Sequence, residues 1–78
     1  MSQEICNSIK EAIAAEIEPA KIEVEGGGGH YRIEVMSTAF DGKSRVAKQR
    51  MVLSAIAHLM KGDGAPVHAV DSVKTIVG

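Results

Sequence analysis

The sequence predicts an α+β fold in which helices pack on one face of a three-stranded β-sheet. Apolar residues recur at helical spacing near the start of the chain and again in its second half, whereas two segments alternate polar and apolar residues and a third is short and rich in valine. A chain of 78 residues buries only about 60% of the surface that it exposes when unfolded, which leaves room for one helix layer and one sheet layer. We therefore predict a single domain over residues 1–78, with its elements in the order α-β-β-α-α-β.

An amphipathic helix is predicted at the start of the chain. Ile5, Ile9 and Ile13 recur every four residues and Ile17 completes the stripe, so these side chains share one helical face. Proline disfavours helical geometry in the residue that precedes it. Because Pro19 follows closely, we expect the helix to end near Ile17.

A β-hairpin is predicted next. Lys21–Glu25 and Tyr31–Val35 each alternate polar and apolar residues, as strands with one solvent-facing side do. The four glycines at positions 26–29 resemble a phosphate-binding loop in composition, but such loops join a strand to the N-terminus of a helix, not to a second strand. We therefore interpret the tetraglycine as a hairpin loop that is long enough to move, with His30 at its exit.

The segment after Phe40 is predicted to hold the remaining helices. Asp41–Ser44 is rich in turn-forming residues, and Ser44 is placed to cap the helix that follows. Apolar residues then recur at helical spacing as far as Lys61, but the polar run Lys48–Arg50 interrupts the stripe. We predict two helices, or one bent helix, rather than a single straight one.

The last predicted element is a third strand. Gly62, Asp63 and Gly64 end the helical region, and Val67–Val70 is too short and too rich in β-branched residues to form another helix. His68 lies at the start of this strand, where an outward side chain is presented at the end of the sheet. One imidazole makes no metal site by itself, so spacing alone leaves open whether His68 is a ligand.

The composition excludes several classes of protein. The single cysteine, Cys6, can make no internal disulfide and can hold no zinc or cluster unaided, which fits a reducing compartment. The apolar runs are too short to span a bilayer and the first residues lack the pattern of an export signal, so we expect a cytoplasmic protein without membrane contact. No Ser-His-Asp spacing, Cys-His pair or apolar-framed pair of carboxylates is present, so we expect no enzymatic activity.

The charged residues are unevenly distributed, although the formal net charge is only −1. No carboxylate lies between Asp41 and Asp63, and the basic residues of this segment are Lys43, Arg45, Lys48, Arg50 and Lys61. Arg45 and Lys48 lie three residues apart, so they share a helix face and are candidates for contact with phosphates or with an acidic partner. A solvated helix face is the alternative interpretation, and the small net charge argues against tight binding of nucleic acid.

Three stretches of the sequence together resemble the BolA-like family. They are Phe40–Val46, which contains a Phe-x-Gly-Lys-Ser turn, then Lys48–Arg50, and finally Val67–Val70 with its His-Ala-Val. The resemblance extends over most of the chain and includes a first helix that ends near a proline and the pair His30 and Tyr31 at the head of the second strand. The fold of the family resembles a type II KH domain, and its order of elements is the one predicted above from periodicity.

The resemblance implies a role in iron-sulfur cluster assembly, trafficking or iron sensing. It implies a partner, a monothiol glutaredoxin with a Cys-Gly-Phe-Ser site, and a heterodimer that shares a bridging 2Fe-2S cluster to which the glutaredoxin and glutathione contribute thiolates. The C-terminal histidine of the family corresponds to His68, and a second ligand, from the loop between the first two strands, corresponds to His30. A cluster is accordingly expected in the complex and not in the isolated chain.

Other functions remain open at this point. A KH-like fold also suits a nucleic-acid-binding transcriptional regulator, whose contact surface would be the basic helix 43–50. The KH Gly-x-x-Gly turn, however, joins two helices, whereas the tetraglycine lies between two strands. A third alternative is an adaptor whose basic face binds only the acidic surface of a partner protein. Self-association of the free protein into a homodimer is also left open.

One departure from the family concerns the last strand. Residues Val70–Val73 read Val-Asp-Ser-Val, so the apolar residue expected at position 72 is shifted. We therefore predict either an early end of the strand or a β-bulge.

Overall fold

The chain forms two α-helices and three β-strands in a computed structural model that describes residues 2–62 and 64–78. The bounds of these elements are α1 (Ser2–Glu16), β1 (Lys21–Gly27), β2 (His30–Met36), α2 (Arg45–Ala55) and β3 (Ala69–Ile76). Two short 3-10 turns, Thr38–Phe40 and Ala57–Leu59, lie on either side of α2. Asp63 of the predicted turn lies outside the described residues. No helix within the described ranges has the length and apolar character needed to cross a membrane.

The sheet has the strand order β1-β2-β3, so β2 is central. β1 and β2 form the predicted antiparallel hairpin, whereas β3 pairs parallel with β2. Tyr31, Ile33 and Val35 of β2 are buried while His30 and Arg32 are exposed, which gives the central strand one core face and one solvent face. The predicted α+β class with a three-stranded sheet is therefore confirmed.

An aliphatic core lies between the helices and one face of the sheet. Ile9, Ile13 and Ile17 of the predicted apolar stripe are at most 1% exposed, and α1 ends at Glu16, next to the predicted end. The rest of the buried cluster consists of Cys6, Tyr31, Ile33, Val35, Phe40, Val52, Ala55, Ile56 and Val67.

The region predicted to hold two helices contains one α-helix followed by a single 3-10 turn. Ser44 caps α2 as predicted, since its hydroxyl oxygen accepts a hydrogen bond from the backbone N–H of Ala47 at 3.1 Å. The polar run Lys48–Arg50 does not interrupt the helix, because these residues lie inside α2. Lysine, glutamine and arginine all favour helices, so they interrupt the apolar stripe without interrupting the backbone. The helix ends at Ala55, and the N–H of the C-cap residue Ile56 donates to the carbonyl of Leu53, which begins the 3-10 geometry.

The hairpin between β1 and β2 is tighter than the sequence predicts. Gly27 still belongs to β1 and pairs with His30, so only Gly28 and Gly29 form the turn. Their φ angles are +62° and +87°, the positive values that a two-residue hairpin turn requires and that glycine adopts without steric strain. The prediction that all four glycines form the loop is therefore wrong, because Gly26 and Gly27 are paired within β1.

The third strand begins two residues later than predicted, at Ala69, and contains the predicted bulge. The register with β2 shifts between Val70 and Ser72, so Asp71 is the extra residue. Asp71 and Ser72 are consequently both exposed, while Val73 packs against the core. The alternative prediction of an early strand end is wrong, since β3 runs for eight residues in all.

Candidate functional site

His68 stands at the end of the sheet, immediately before β3, and it is exposed. Its backbone N–H and that of Ala69 both donate hydrogen bonds to the carbonyl oxygen of Gly29, at 2.8 and 2.9 Å. The turn of the β1-β2 hairpin is thereby fastened to the beginning of β3. The imidazole is presented at this junction rather than enclosed in the core.

The imidazole of His68 packs directly against Gly29. An ideal Cβ on Gly29 would lie 2.1 Å from Cδ2 and 2.8 Å from Cγ of His68, far inside van der Waals contact. The φ of +87° at Gly29 is also a conformation that residues with a Cβ adopt only with strain. Glycine at this position therefore leaves the space that the His68 ring occupies.

His30, the first residue of β2, lies at the same end of the sheet. It pairs with Ala69, the residue after His68, and its side chain is 60% exposed. Nδ1 of its ring is 3.2 Å from Oδ1 of Asp71. When Nδ1 carries the proton and donates it to this carboxylate, the lone pair of Nε2 is left free to bind a metal.

The sequence analysis missed two residues of this site, Asp71 and Gly29. Asp71 reaches His30 from the bulge position of β3, where it has no partner residue in β2. The bulge itself was predicted, but its consequence for His30 was not. A usable signal was the pair of consecutive polar residues at positions 71 and 72, because a bulge turns both toward solvent beside the neighbouring strand.

The structure brings His68, His30 and Asp71 to one end of the sheet. Over residues 2–62 and 64–78, no group of three or more His, Cys, Asp and Glu side chains is arranged to hold a metal ion. Two imidazoles supply only part of a ligand set, so the other ligands of a metal centre here must come from another molecule. Cys6 is buried in the core and offers no ligand at this surface.

The four basic residues between positions 43 and 50 do not all line one groove. Arg45 and Lys48 line a groove of about 510 Å³ between α2 and β3, so they share a face as predicted. Arg50 lines a different groove, between α2 and the end of α1. Lys43 lies in the exposed turn before α2. Of these four residues, only Arg45 and Lys48 line the groove beside β3.

Comparisons with known proteins agree with the fold described above. A family model described as BolA-like protein matches residues 5–76, whereas a search of curated proteins found no match. The BolA domain of SufE1 from Arabidopsis thaliana aligns with a TM-score of 0.78 at 26% sequence identity, over 94% of this chain and 91% of that chain. A bolA protein homologue from Coxiella burnetii aligns with a TM-score of 0.74 at 28% identity, over 91% of this chain and 87% of its own. Yeast Fra2 aligns with a TM-score of 0.67 at 27% identity, over 99% of this chain and 78% of its own.

The family match includes every part of the site. Residues 5–76 contain the glycine hairpin, the turn before α2, the histidine that precedes β3 and the bulge that follows it. The sequence pattern, the fold and the family model therefore lead to one assignment, and this chain belongs to the BolA-like protein family.

Proposed function

We propose that this protein is the partner of a monothiol glutaredoxin with a Cys-Gly-Phe-Ser site and that the two proteins share a bridging 2Fe-2S cluster. Its role is in iron-sulfur cluster assembly, trafficking or iron sensing, and the chain acts by binding rather than as an enzyme. The observation that carries the proposal is the exposed imidazole of His68, which packs on Gly29 at the end of the sheet. Membership of the BolA-like family supports the same function.

The residues at this end of the sheet fit a shared cluster rather than one held by this chain alone. A 2Fe-2S cluster has four ligand positions, usually occupied by thiolates, and imidazoles replace two of them in some proteins. His68 and His30 supply two imidazoles, and the described part of the chain holds no group of three or more ligating side chains. A glutaredoxin cysteine and glutathione would supply the two remaining thiolates.

Each residue of the site has a separate task in this proposal. His68 binds iron through its ring, and the contact with Gly29 limits the positions that the ring takes. His30 binds iron through Nε2, and Asp71 orients the ring by accepting the Nδ1 proton, as carboxylates beside metal-ligating histidines do. When bound, the cluster supplies electron-transfer chemistry, and its potential is higher with neutral imidazoles in place of thiolates.

Titration with a cluster-loaded monothiol glutaredoxin tests this function. The wild-type protein should change the visible absorption and circular-dichroism spectra, because an imidazole becomes a ligand of one iron. His68→Ala should abolish the change and His30→Ala should reduce it. His58→Ala is the matched control and should behave as wild type, because His58 is exposed on the 3-10 turn after α2. The absence of a spectral change, or an unaltered response of His68→Ala, contradicts the proposal.

The adaptor alternative predicts a different outcome in a binding measurement. An adaptor that uses only its basic face binds the glutaredoxin equally well with and without iron, and His68→Ala leaves its affinity unchanged. The shared-cluster proposal instead predicts that the cluster strengthens binding and that His68→Ala removes this gain. Isothermal titration calorimetry with apo and cluster-loaded glutaredoxin measures the difference.

The transcriptional-regulator alternative has one observation in its favour, the groove that Arg45 and Lys48 line. Single-stranded nucleic acid is usually held by stacking on aromatic side chains, but Tyr31 and Phe40, the only aromatic residues, are buried. A regulator would bind DNA with an affinity that falls steeply with salt, and neutralising Arg45 and Lys48 would flatten that dependence. A lack of DNA binding at low salt excludes this function.

A further inference from the structure

One side of the β3 backbone has no partner in the described part of the chain. The sheet order is β1-β2-β3, so β3 is an edge strand that pairs only with β2. Edge strands present a row of unpaired N–H and C=O groups that another strand can pair with. Of the backbone hydrogen bonds that the described residues make outside helices and strands, none involves residues 70–75.

Beyond its bulge, this edge has few of the features that usually prevent a further strand from pairing. Natural edges are protected by charged side chains such as lysine, by proline, by bulges or by a covering element, and the segment from Ser72 to Ile76 carries one lysine, Lys74. The bulge of β3 lies at Asp71, and from Ser72 to Ile76 the register with β2 is regular and the sequence contains no proline. The segment from Ser72 to Ile76 spans about 16 Å at roughly 3.3 Å per residue, which is enough to pair with a short extended peptide.

Helix α2 lies beside this edge without covering it. Ser72–Thr75 form one wall of the groove of about 510 Å³, and Arg45, Lys48 and Gln49 form the other. Successive side chains of a strand point to opposite faces of the sheet, so a groove lined by four consecutive residues runs along the backbone edge. The groove therefore offers main-chain donors and acceptors on one side and polar side chains on the other.

The charges in this groove favour an acidic ligand. Arg45, Lys48 and Lys74 are among its lining residues, and none of the lining residues is a carboxylate. Lys74 is partly engaged, because its Nζ lies 4.0 Å from Oε1 of Glu34. Arg45 and Lys48 make no ion pair within the described ranges, so their charges are available to a ligand.

An extended peptide fits these features better than a nucleic acid does. A strand edge recognises another peptide backbone directly, whereas the groove has no aromatic side chain on which bases stack. We propose that the groove between α2 and β3 binds an extended acidic segment of a partner protein, which adds a fourth strand to the edge of β3 and places its carboxylates against Arg45 and Lys48. This surface does not include His30 or His68, so the proposal stands independently of the shared cluster.

NMR titration of the isotopically labelled protein with designed peptides tests this proposal. The probe is a capped octapeptide of alternating Glu and Val. A peptide with Lys in place of Glu controls for charge, and one that is N-methylated at every second residue controls for backbone pairing. The acidic peptide should shift the amide resonances of residues 72–75 and slow their hydrogen exchange. The basic peptide should not bind, and the N-methylated peptide should bind at least about tenfold more weakly, because methylation removes donors that pair with an edge strand.

Charge-reversed variants test the position of the binding site. The double variant Arg45→Glu, Lys48→Glu should bind the acidic peptide about tenfold or more weakly, as expected when two exposed ion pairs become repulsive. Arg50→Glu should bind it as wild type does, because Arg50 lines the other groove. Circular dichroism checks the folding of both variants. If the double variant does not fold, the basic and the N-methylated peptides, titrated into the wild-type protein, still test whether charge and backbone pairing hold the acidic peptide.

Three results would overturn the proposal. One is that Arg50→Glu weakens binding as much as the double variant does, and another is that N-methylation has no effect. The third is that single-stranded DNA shifts the resonances of residues 72–75 whereas the acidic peptide does not, which would make nucleic acid the ligand of this groove.

Discussion

The variant Gly29→Ala, compared with Gly28→Ala, tests whether the hairpin turn positions His68. Both glycines have positive φ angles, +62° at Gly28 and +87° at Gly29, so alanine should cost each variant about 1 kcal/mol of stability. Their surroundings differ, because a Cβ on Gly28 meets no atom within 4 Å, whereas a Cβ on Gly29 would lie 2.1 Å from Cδ2 of His68. Only Gly29→Ala therefore has to displace the imidazole.

The free-energy cost of displacing the imidazole follows from the distances between Gly29 and His68. Carbon atoms in contact are about 3.5–4.0 Å apart, so the imidazole has to move by roughly 1.5 Å. The Cβ of His68 would itself be 3.1 Å from the added atom, so the ring has to turn away from its present rotamer. An unfavourable rotamer costs about 0.5–1.5 kcal/mol. Gly29→Ala should therefore be about 1 kcal/mol less stable than Gly28→Ala, or about 4–8 °C lower in Tm for a domain of this size.

Two measurements report the loss of stability and the displacement of the His68 ring in Gly29→Ala. Urea unfolding monitored by circular dichroism gives the free energy of unfolding of each variant, and the NMR resonance of the Cδ2–H group of His68 reports displacement of the ring. In the glutaredoxin titration, Gly29→Ala should lose the spectral change as His68→Ala does, whereas Gly28→Ala should behave as wild type. Equal unfolding free energies for the two glycine variants, with an unchanged His68 resonance in both, would refute the reasoning.

Three further predictions use other contacts of the structure. Ser44→Ala should lower the free energy of unfolding, measured with urea, by about 1 kcal/mol, because the backbone N–H of Ala47 loses its capping acceptor. An unchanged midpoint of the urea transition would show that the cap contributes nothing to stability. Asp71→Ala should raise the fraction of neutral His30 that is protonated on Nε2, because the Nδ1 proton loses its acceptor. The nitrogen chemical shifts of the ring measure this fraction, and an unaltered tautomer ratio would contradict the contact. Ile13→Ala should lower the free energy of unfolding by about 2–5 kcal/mol, measured by thermal unfolding, because Ile13 is 0% exposed. The control Val46→Ala, at a residue that is 57% exposed, should change it by less than about 0.5 kcal/mol. Equal losses in the two variants would contradict the burial of Ile13.

The sequence predicted the helices and strands correctly where the spacing of apolar residues matches the period of the backbone. Ile9 and Ile13 of the predicted stripe lie on the buried face of α1, and the alternation of Tyr31–Val35 is the burial pattern of β2. The errors at positions 26–27 and 48–50 have a common cause, since both segments were interpreted as interruptions. Both segments keep their backbone pairing or helical geometry, because glycine still pairs in a strand and polar residues with high helix propensity still form a helix.

The candidate site was predictable only in part. His68 was located because a family pattern and the start of a predicted strand coincide there. The contacts of Asp71 and Gly29 were not predicted, because they join distant parts of the chain. His30 and Asp71 are 41 residues apart, and their contact depends on the parallel pairing of β2 with β3 and on a bulge whose position is fixed by that register.

The bulge at Asp71 explains how β3 contributes to the core, to the contact with His30 and to the groove beside α2. If β3 alternated strictly after Val70, Ser72 would face the core and Val73 would face solvent. The extra residue keeps both valines against the core and leaves Asp71 free to contact His30. It also delays the start of the regular edge to Ser72, so the groove beside α2 begins where the histidine end of the sheet stops. The proposed cluster ligands, at the head of β2 and immediately before β3, therefore lie outside the proposed peptide groove, whose β3 residues begin at Ser72.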